Sequence, residues 1–427
     1  MTSRTVLLVV TGALALALVA LVIALTPWRP LADASIGAAD PLRDFTREQL
    51  AHEDAYHSAV RPPAYTSWLV SLAFAIVLGF SPLGARLVSR VAEPFGGGWG
   101  WQVVVGTVAV TLAGRMLVLP WDAWSESVRR RYGLSTRSWG GWLVDVAKSY
   151  AVGLVLTLVI VLLLVALARW SPQWWWAFGA AAGAILVAGI SFLYPVVVEP
   201  VFNKFTPMEA GDLRTSLLGL AEQDGIEVSD VLVADASRRT SALNAYVSGY
   251  GSTRRIVVYD TLLESAPDRE IELIVAHELG HVKNRDVPVG TAMGALALAM
   301  AVCLLALAGR SDWLLSRAGV PALGDGRAVA LVLALIAVLG FVSGPAQALI
   351  SRRIEARADV HSLELTGDPA ALIAMQQRLA VRNLSDLDPS PLVFGMFSSH
   401  PTSPQRIAIA RAWAAANDVP LPEAARP

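Results

Sequence analysis

The chain has little charge and almost no cysteine. Only 16% of its 427 residues are Asp, Glu, Lys or Arg, against about 25% in an ordinary soluble domain. Its one cysteine, Cys303, lies inside an apolar run. That excludes an internal disulfide framework and any cysteine-rich metal site. A formal net charge of −1 gives no reason to expect a nucleic-acid partner. With one cysteine, a metal here must be held by His and carboxylate, and histidine is itself scarce, at six residues. What fills the chain is apolar: 55% of residues are hydrophobic and the mean hydropathy is +0.52. That balance predicts an integral membrane protein.

Seven runs are long and apolar enough to span a bilayer, near 5–26, 65–84, 101–119, 149–168, 174–197, 287–308 and 328–349. The first resembles a secretory signal with a cleavage-like Ala32-Asp33-Ala34. Its apolar run exceeds the usual length and only Arg4 precedes it, so a retained span is favoured. Arg115 falls inside the third run, where a charge usually faces the bundle interior or a water-filled cavity, unless it snorkels to the interface. Segment 121–148 carries Arg129, Arg130, Arg131, Arg137 and Lys148, and segment 198–286 adds nine more basic residues. The loops near 85–100, 169–173 and 309–327 carry fewer. This bias predicts a multi-pass cell-membrane protein with its N-terminus outside and its C-terminus in the cytoplasm, although long loops obey the rule weakly.

The pattern divides the chain into a five-span membrane domain (1–197), a soluble insertion (198–286), a two-span hairpin (287–349) and a second soluble part (350–427). Residues 27–62 read as a polar connector over one face of the membrane domain. In the insertion, FNKFTPMEAGDLRTSLLGLAEQDG suggests a turn and an amphipathic helix closing at Gly225. VSDVLVADAS and RRIVVYD read as strands with NAYVSGYGS between them. Ser265 is a plausible N-cap for the helix that follows, with Pro267 early and Asp268 three residues on. Helices are expected near 351–366, 368–381 and 402–416.

The helix that follows Ser265 carries His277-Glu278-Leu279-Gly280-His281. Two histidines four apart share one helical face, so both imidazoles can reach a single Zn²⁺. Glu278 projects beside the metal, where it can take a proton from a zinc-bound water and pass it to a leaving amine. The bland alternative is a pair of satisfied histidines packed on the core. A catalytic zinc usually takes three protein ligands, and two spans bring the chain back to the same side at SRRIEARADVHSLE. There Glu355 and Asp359 are one turn apart and either could ligate. Glu364 and His361 point elsewhere, and Glu355 could instead pair with Arg352 or Arg353.

Together, RRRYGLSTRSWGGWLVDVAKS, EPVFNKFTPM, LNAYVSG, VAHELGHVKNRD, SRRIEARAD and SSHPTSPQRI make the chain resemble the type I CAAX prenyl endoproteases, zinc-dependent intramembrane proteases that cut after a prenylated cysteine. The resemblance implies an α-helical integral membrane protein, a seven-helix transmembrane barrel around a water-filled chamber. Into it is inserted a mainly α, zincin-like catalytic domain carrying a short β-sheet. It further implies one Zn²⁺ per chain on His277, His281 and Glu355, with Glu278 as base and the zinc site facing the cytoplasm. Asp359 would accept the free ring N–H of a ligating histidine. Asn244, Ala245 and Tyr246 would lie on a substrate-binding edge strand, and His400 would help stabilise the oxyanion. Asn244 as a turn residue and His400 as a residue leading into the next helix are the plainer readings.

The implied partners are a peptide or protein substrate, lipid-modified or membrane-embedded, and the surrounding membrane lipids, with no obligate protein partner. A second reading is membrane-protein quality control, as in the four-span heat-shock membrane proteases. A catalytically dead scaffold is disfavoured, because it needs none of HELGH, Glu355 or Asp359. Lysine-rich tails of the eukaryotic pattern are lacking, and the Ala- and Arg-rich composition looks bacterial.

Overall fold

The computed structural model describes residues 3–31 and 35–421, so the cleavage-like Ala32-Asp33-Ala34 lies outside the described residues. Among the described residues seven helices are long and apolar enough to cross a membrane: Ser3–Leu25, Arg47–Gly79, Trp99–Arg131, Trp139–Trp170, Trp175–Phe202, Asp286–Ala308 and Gly326–Thr366. They correspond in order to the seven apolar runs. Spans two to six pack each on the next, span seven returns against span two and touches span six, and span one packs on span six. Burial within the spans is low. Only 6% of the apolar window of span five and 33% of that of span seven is covered by protein. Helices that touch mainly along their flanks leave both an outward and an inward face uncovered, as a ring requires and a solid bundle does not.

Arg115 in span three is held by Asp122 two turns on, at 2.6 Å, and Asp122 also accepts from Ser67 of span two at 2.8 Å. The pair keeps the charge tied to neighbouring helices.

The part expected to be catalytic is built on a four-stranded sheet, β1 (Phe205–Pro207), β2 (Asp230–Ala234), β3 (Ala245–Ser248) and β4 (Arg255–Tyr259), in the order β1-β2-β4-β3. β2 and β4 run parallel, while β1 and β3 flank them antiparallel. Strand β3 is therefore an edge. β1 was not foreseen, since a three-residue strand containing Pro207 has no readable alternation. Helix Asp212–Gln223 is the expected amphipathic helix. Under the sheet, Leu217, Ile256, Val258, Leu262, Ile271, Leu279, Leu363, Leu372 and Met375 form one buried core.

Three expectations change. The helix near 351–366 is not separate: span seven continues without a break to Thr366, because SRRIEARADVHSLEL contains no breaker. The connector does not lie over the membrane domain. Phe45 is buried with Ala380, Leu387 and Ile407, and Arg411 pairs with Asp44, so this segment buttresses the C-terminal helices beside the sheet. From Arg47 it is already helical, capped by Thr46 and Gln49, and runs through Pro62 and Pro63 into span two. Ser265 ends a short helix, Asp260–Ser265, instead of capping the next one. Extended Pro267 leads into helix Asp268–Lys283, whose first-turn Asp268 and Glu270 complement its dipole.

Candidate metal centre

The HELGH helix is buried on almost every side. Ile271, Leu273, Ile274, Val275, Ala276 and Leu279 are all enclosed between the sheet and the C-terminal extension of span seven. Gly280 makes the approach to span seven possible. A Cβ there would lie 3.0 Å from the Cβ and ring of His361. His361 itself turns to Asp224 at 2.9 Å, away from the centre.

On the face shared with Gly280, His277 Nε2 and His281 Nε2 are 3.3 Å apart. Glu355 reaches both, with Oε2 3.2 Å from His277 Nε2 and Oε1 3.7 Å from His281 Nε2. Tetrahedral zinc with bonds of 2.0–2.1 Å sets its ligand atoms about 3.3 Å apart. The three side chains therefore fit one tetrahedral ion, and two imidazoles and a carboxylate are a donor set that zinc favours. The Glu355 ion pair with Arg352 or Arg353 does not form. Arg352 instead donates to the carbonyls of Phe394 and Ser398.

A second layer orients the histidines. Asp359, wholly buried, lies with Oδ1 3.0 Å from His277 Nδ1, and Asp286 Oδ2 lies 2.9 Å from His281 Nδ1. Each carboxylate faces the ring nitrogen remote from the ligand face, which selects the tautomer with Nε2 free. Burial alone would lower the pKa of His277, but Asp359 and Glu355 outweigh it and push it up to about 9. Such an electronegative cage draws in a cation. Both oxygens of Asp359 also accept from Arg406, Nε lying 2.8 Å from Oδ2. Asp286 is likewise paired, with Arg357.

Glu278 differs from these carboxylates. His277, Glu278 and His281 bring polar atoms within 4.8 Å of one another, so proximity alone would admit Glu278 as a ligand. Glu355 bridges the two Nε2 atoms, however, whereas Glu278 makes no hydrogen bond or ion pair among the described residues. Burial raises its pKa, the condition of a group ready to take up a proton. His400 follows the short helix Pro391–Phe397 and places Nε2 3.4 Å from Glu355 Oε2, with its side chain 59% exposed.

Strand β3 packs on the HELGH helix. Tyr259 N–H donates to the carbonyl of Asn244 at 3.0 Å, so Asn244, Tyr246 and Ser248 turn their main-chain groups inward to β4. By alternation Ala245 and Val247 turn theirs away from β4, Ala245 buried and Val247 part-exposed. Asn244 and Tyr246 are thus left with side-chain roles only; Asn244 is exposed, and Tyr246 stacks edge-on against Tyr259. Asn383 closes the near end of this edge. Its amide accepts from Leu243 N–H at 2.8 Å and donates to Leu243 C=O at 3.1 Å.

Arg406, Asp286, Val247 and Asn383 were missed in the sequence reading. Asp286 and Arg406 lie within quoted motifs, but nothing in the spacing says what they touch. Asn383 carries no signal at all.

Residues 207–414 match the peptidase family M48, and residues 43–204 match the CAAX prenyl protease N-terminal domain of five membrane helices. The chain is 31% identical to the uncharacterized metalloprotease YhfN of Bacillus subtilis over 72% of each protein. The chain belongs to the CAAX prenyl protease family. It is also 27% identical to CAAX prenyl protease 1 of Saccharomyces cerevisiae, over 68% of this chain and 67% of that protein. The crystal structure of Saccharomyces mikatae Ste24p has the same fold, with a TM-score of 0.77 at 21% identity over 96% of this chain and 99% of that one. Family membership makes the protein a multi-pass membrane metalloprotease.

Proposed function

We propose that the protein is a zinc endopeptidase whose site opens on the cytoplasmic side of the cell membrane. The observation that carries this reading is the convergence of His277, His281 and Glu355 at tetrahedral edge lengths beside the unpaired Glu278. Zinc bound there supplies Lewis acidity towards a scissile carbonyl and a water molecule. His277, His281 and Glu355 hold the ion, while Asp359 and Asp286 fix the ring tautomers and Arg406 keeps Asp359 ionised. Glu278 accepts the proton of the attacking water and delivers it to the leaving amine. His400, exposed beside Glu355, stabilises negative charge developing on the carbonyl oxygen. An extended substrate pairs with the main-chain groups that Ala245 and Val247 turn away from β4, and Asn244 offers its exposed side-chain amide. The cytoplasmic orientation rests on the basic segments 121–148 and 198–286, on the same side as the catalytic part.

The name of the yeast relative suggests a C-terminal, lipid-modified CAAX peptide as substrate. The test is incubation of purified protein with a farnesylated CAAX peptide and its unprenylated twin, each with and without chelator. Chelator-sensitive cleavage restricted to the farnesylated peptide supports the full reading. Equal cleavage of both removes prenyl recognition and favours membrane-protein quality control. Cleavage indifferent to chelator overturns the metal mechanism.

A further inference from the structure

The end of the membrane domain remote from the metal centre carries a basic cavity. Helix Pro82–Ala92 links span two to span three and is amphipathic. Gly84, Ala85, Val88 and Ala92 are its buried face. Gly84 lies so close to span seven that a Cβ there would fall 2.4 Å from that of Ala330. The helix is therefore fixed against the bundle. Arg86 and Arg90, one turn apart, are exposed on its other side. Neither has a hydrogen bond, ion pair or ring partner among the described residues. With Ser89, Gly319 and Arg327 they line an open cavity of about 310 Å³. Arg327 is already neutralised by Asp325, through contacts of 2.9 and 2.8 Å. Two uncompensated guanidinium groups remain at one cavity.

The surroundings narrow the choice of anion. Leu83 on the same helix is 48% exposed, and Phe95 stacks on Trp101 with both about half exposed. Trp99 lies beneath Arg169. Exposed aromatic residues at the ends of spans mark the boundary between membrane and water. Span seven separates this end from Glu355 by roughly 40 Å of helix at 1.5 Å per residue, so the cavity is no part of the metal site.

We propose that this cavity binds the phosphate of an anionic phospholipid in the leaflet facing away from the catalytic part. Arg86 and Arg90 grip the phosphate oxygens, as planar guanidinium groups do, and the acyl chains run down past Leu83. A zwitterionic headgroup brings its own cation and gains less from two unpaired arginines.

The test is thermal unfolding of the full-length detergent-purified protein with added phosphatidylglycerol, phosphatidylcholine or soluble glycerol phosphate. Phosphatidylglycerol should raise Tm by about 3 °C more than phosphatidylcholine, and glycerol phosphate should add nothing. The Arg86→Gln, Arg90→Gln pair should lose that difference while matching the parent Tm in phosphatidylcholine and its peptide cleavage in detergent. The Arg86→Lys, Arg90→Lys pair should keep part of it. An equal phosphatidylglycerol shift in parent and Gln pair overturns the proposal. So does a glycerol phosphate shift as large as that of the lipid, which would identify a soluble-anion site. If the Gln pair is poorly folded, the Lys pair decides: no lipid-specific shift in it, with parent Tm in phosphatidylcholine, also contradicts the proposal.

Discussion

The catalytic part and the membrane ring solve opposite problems with one continuous chain. Around the HELGH helix nearly every side chain is enclosed, and most charges beside the histidines are paired: Asp359 with Arg406 and Asp286 with Arg357. In the ring, spans touch along their flanks, and Leu16 and Ile185 are each 74% exposed. Span seven belongs to both, exposed near Val342 and wholly buried at Asp359. The difference shows where rigidity is needed. A metal site tolerates displacements of only a few tenths of an ångström, whereas a ring needs only to stay closed.

Substitutions placed in pairs, one in each region, can break this contrast. The largest effect is expected on the outer side of β3. Ala245→Pro deletes the outward N–H and should lower kcat/KM for peptide cleavage by ~10² or more, with bound metal unchanged. A variant that cleaves normally would remove β3 from substrate binding. Next, Arg406→Leu strips the buried Asp359 carboxylate of its guanidinium partner and should cost about 3–5 kcal/mol. Arg115→Leu should cost less, about 1 kcal/mol, because both partners in that pair are 26% exposed. Comparable losses in chemical denaturation would contradict the idea that the catalytic part alone is tightly held. Leu279→Ala should cost about 2–5 kcal/mol in the same assay, against about 0.5 kcal/mol or less for Leu16→Ala. The smallest effect concerns Asn383→Ala, which frees both main-chain groups of Leu243. It should lower KM a few-fold for longer peptides and leave short ones unchanged. No length dependence would show that Asn383 does not bound the edge.

Much of this architecture is legible in the sequence, for identifiable reasons. Seven apolar runs and the four-residue spacing of His277 and His281 are local patterns, and helical geometry converts them directly into spans and a shared face. Spacing alone left Glu355 and Asp359 as equal candidates, and their division of labour was implied only by the family resemblance, since it depends on which carboxylate meets Nε2 and which meets Nδ1. The unbroken helix from span seven to Thr366 was hidden because the apolar run stops near 349, well over four turns before the helix does. The packing of Phe45 on Ile407, and of Asn383 on Leu243, joins residues hundreds or more than a hundred positions apart. No periodicity reports such contacts. Arg406 belongs to the same class, a long-range partner to a residue that the sequence had already singled out.

The central claim is that Glu355 holds the metal while Glu278 moves the proton, and one paired measurement addresses it. Zinc content and peptide cleavage should be determined together for the parent, Glu278→Gln and Glu355→Ala. The account predicts about one zinc per chain in the parent. Glu278→Gln should keep that zinc and lose activity by at least ~10², whereas Glu355→Ala should lose both. Full zinc occupancy in Glu355→Ala, or loss of zinc in Glu278→Gln, would exchange the two roles and contradict the account.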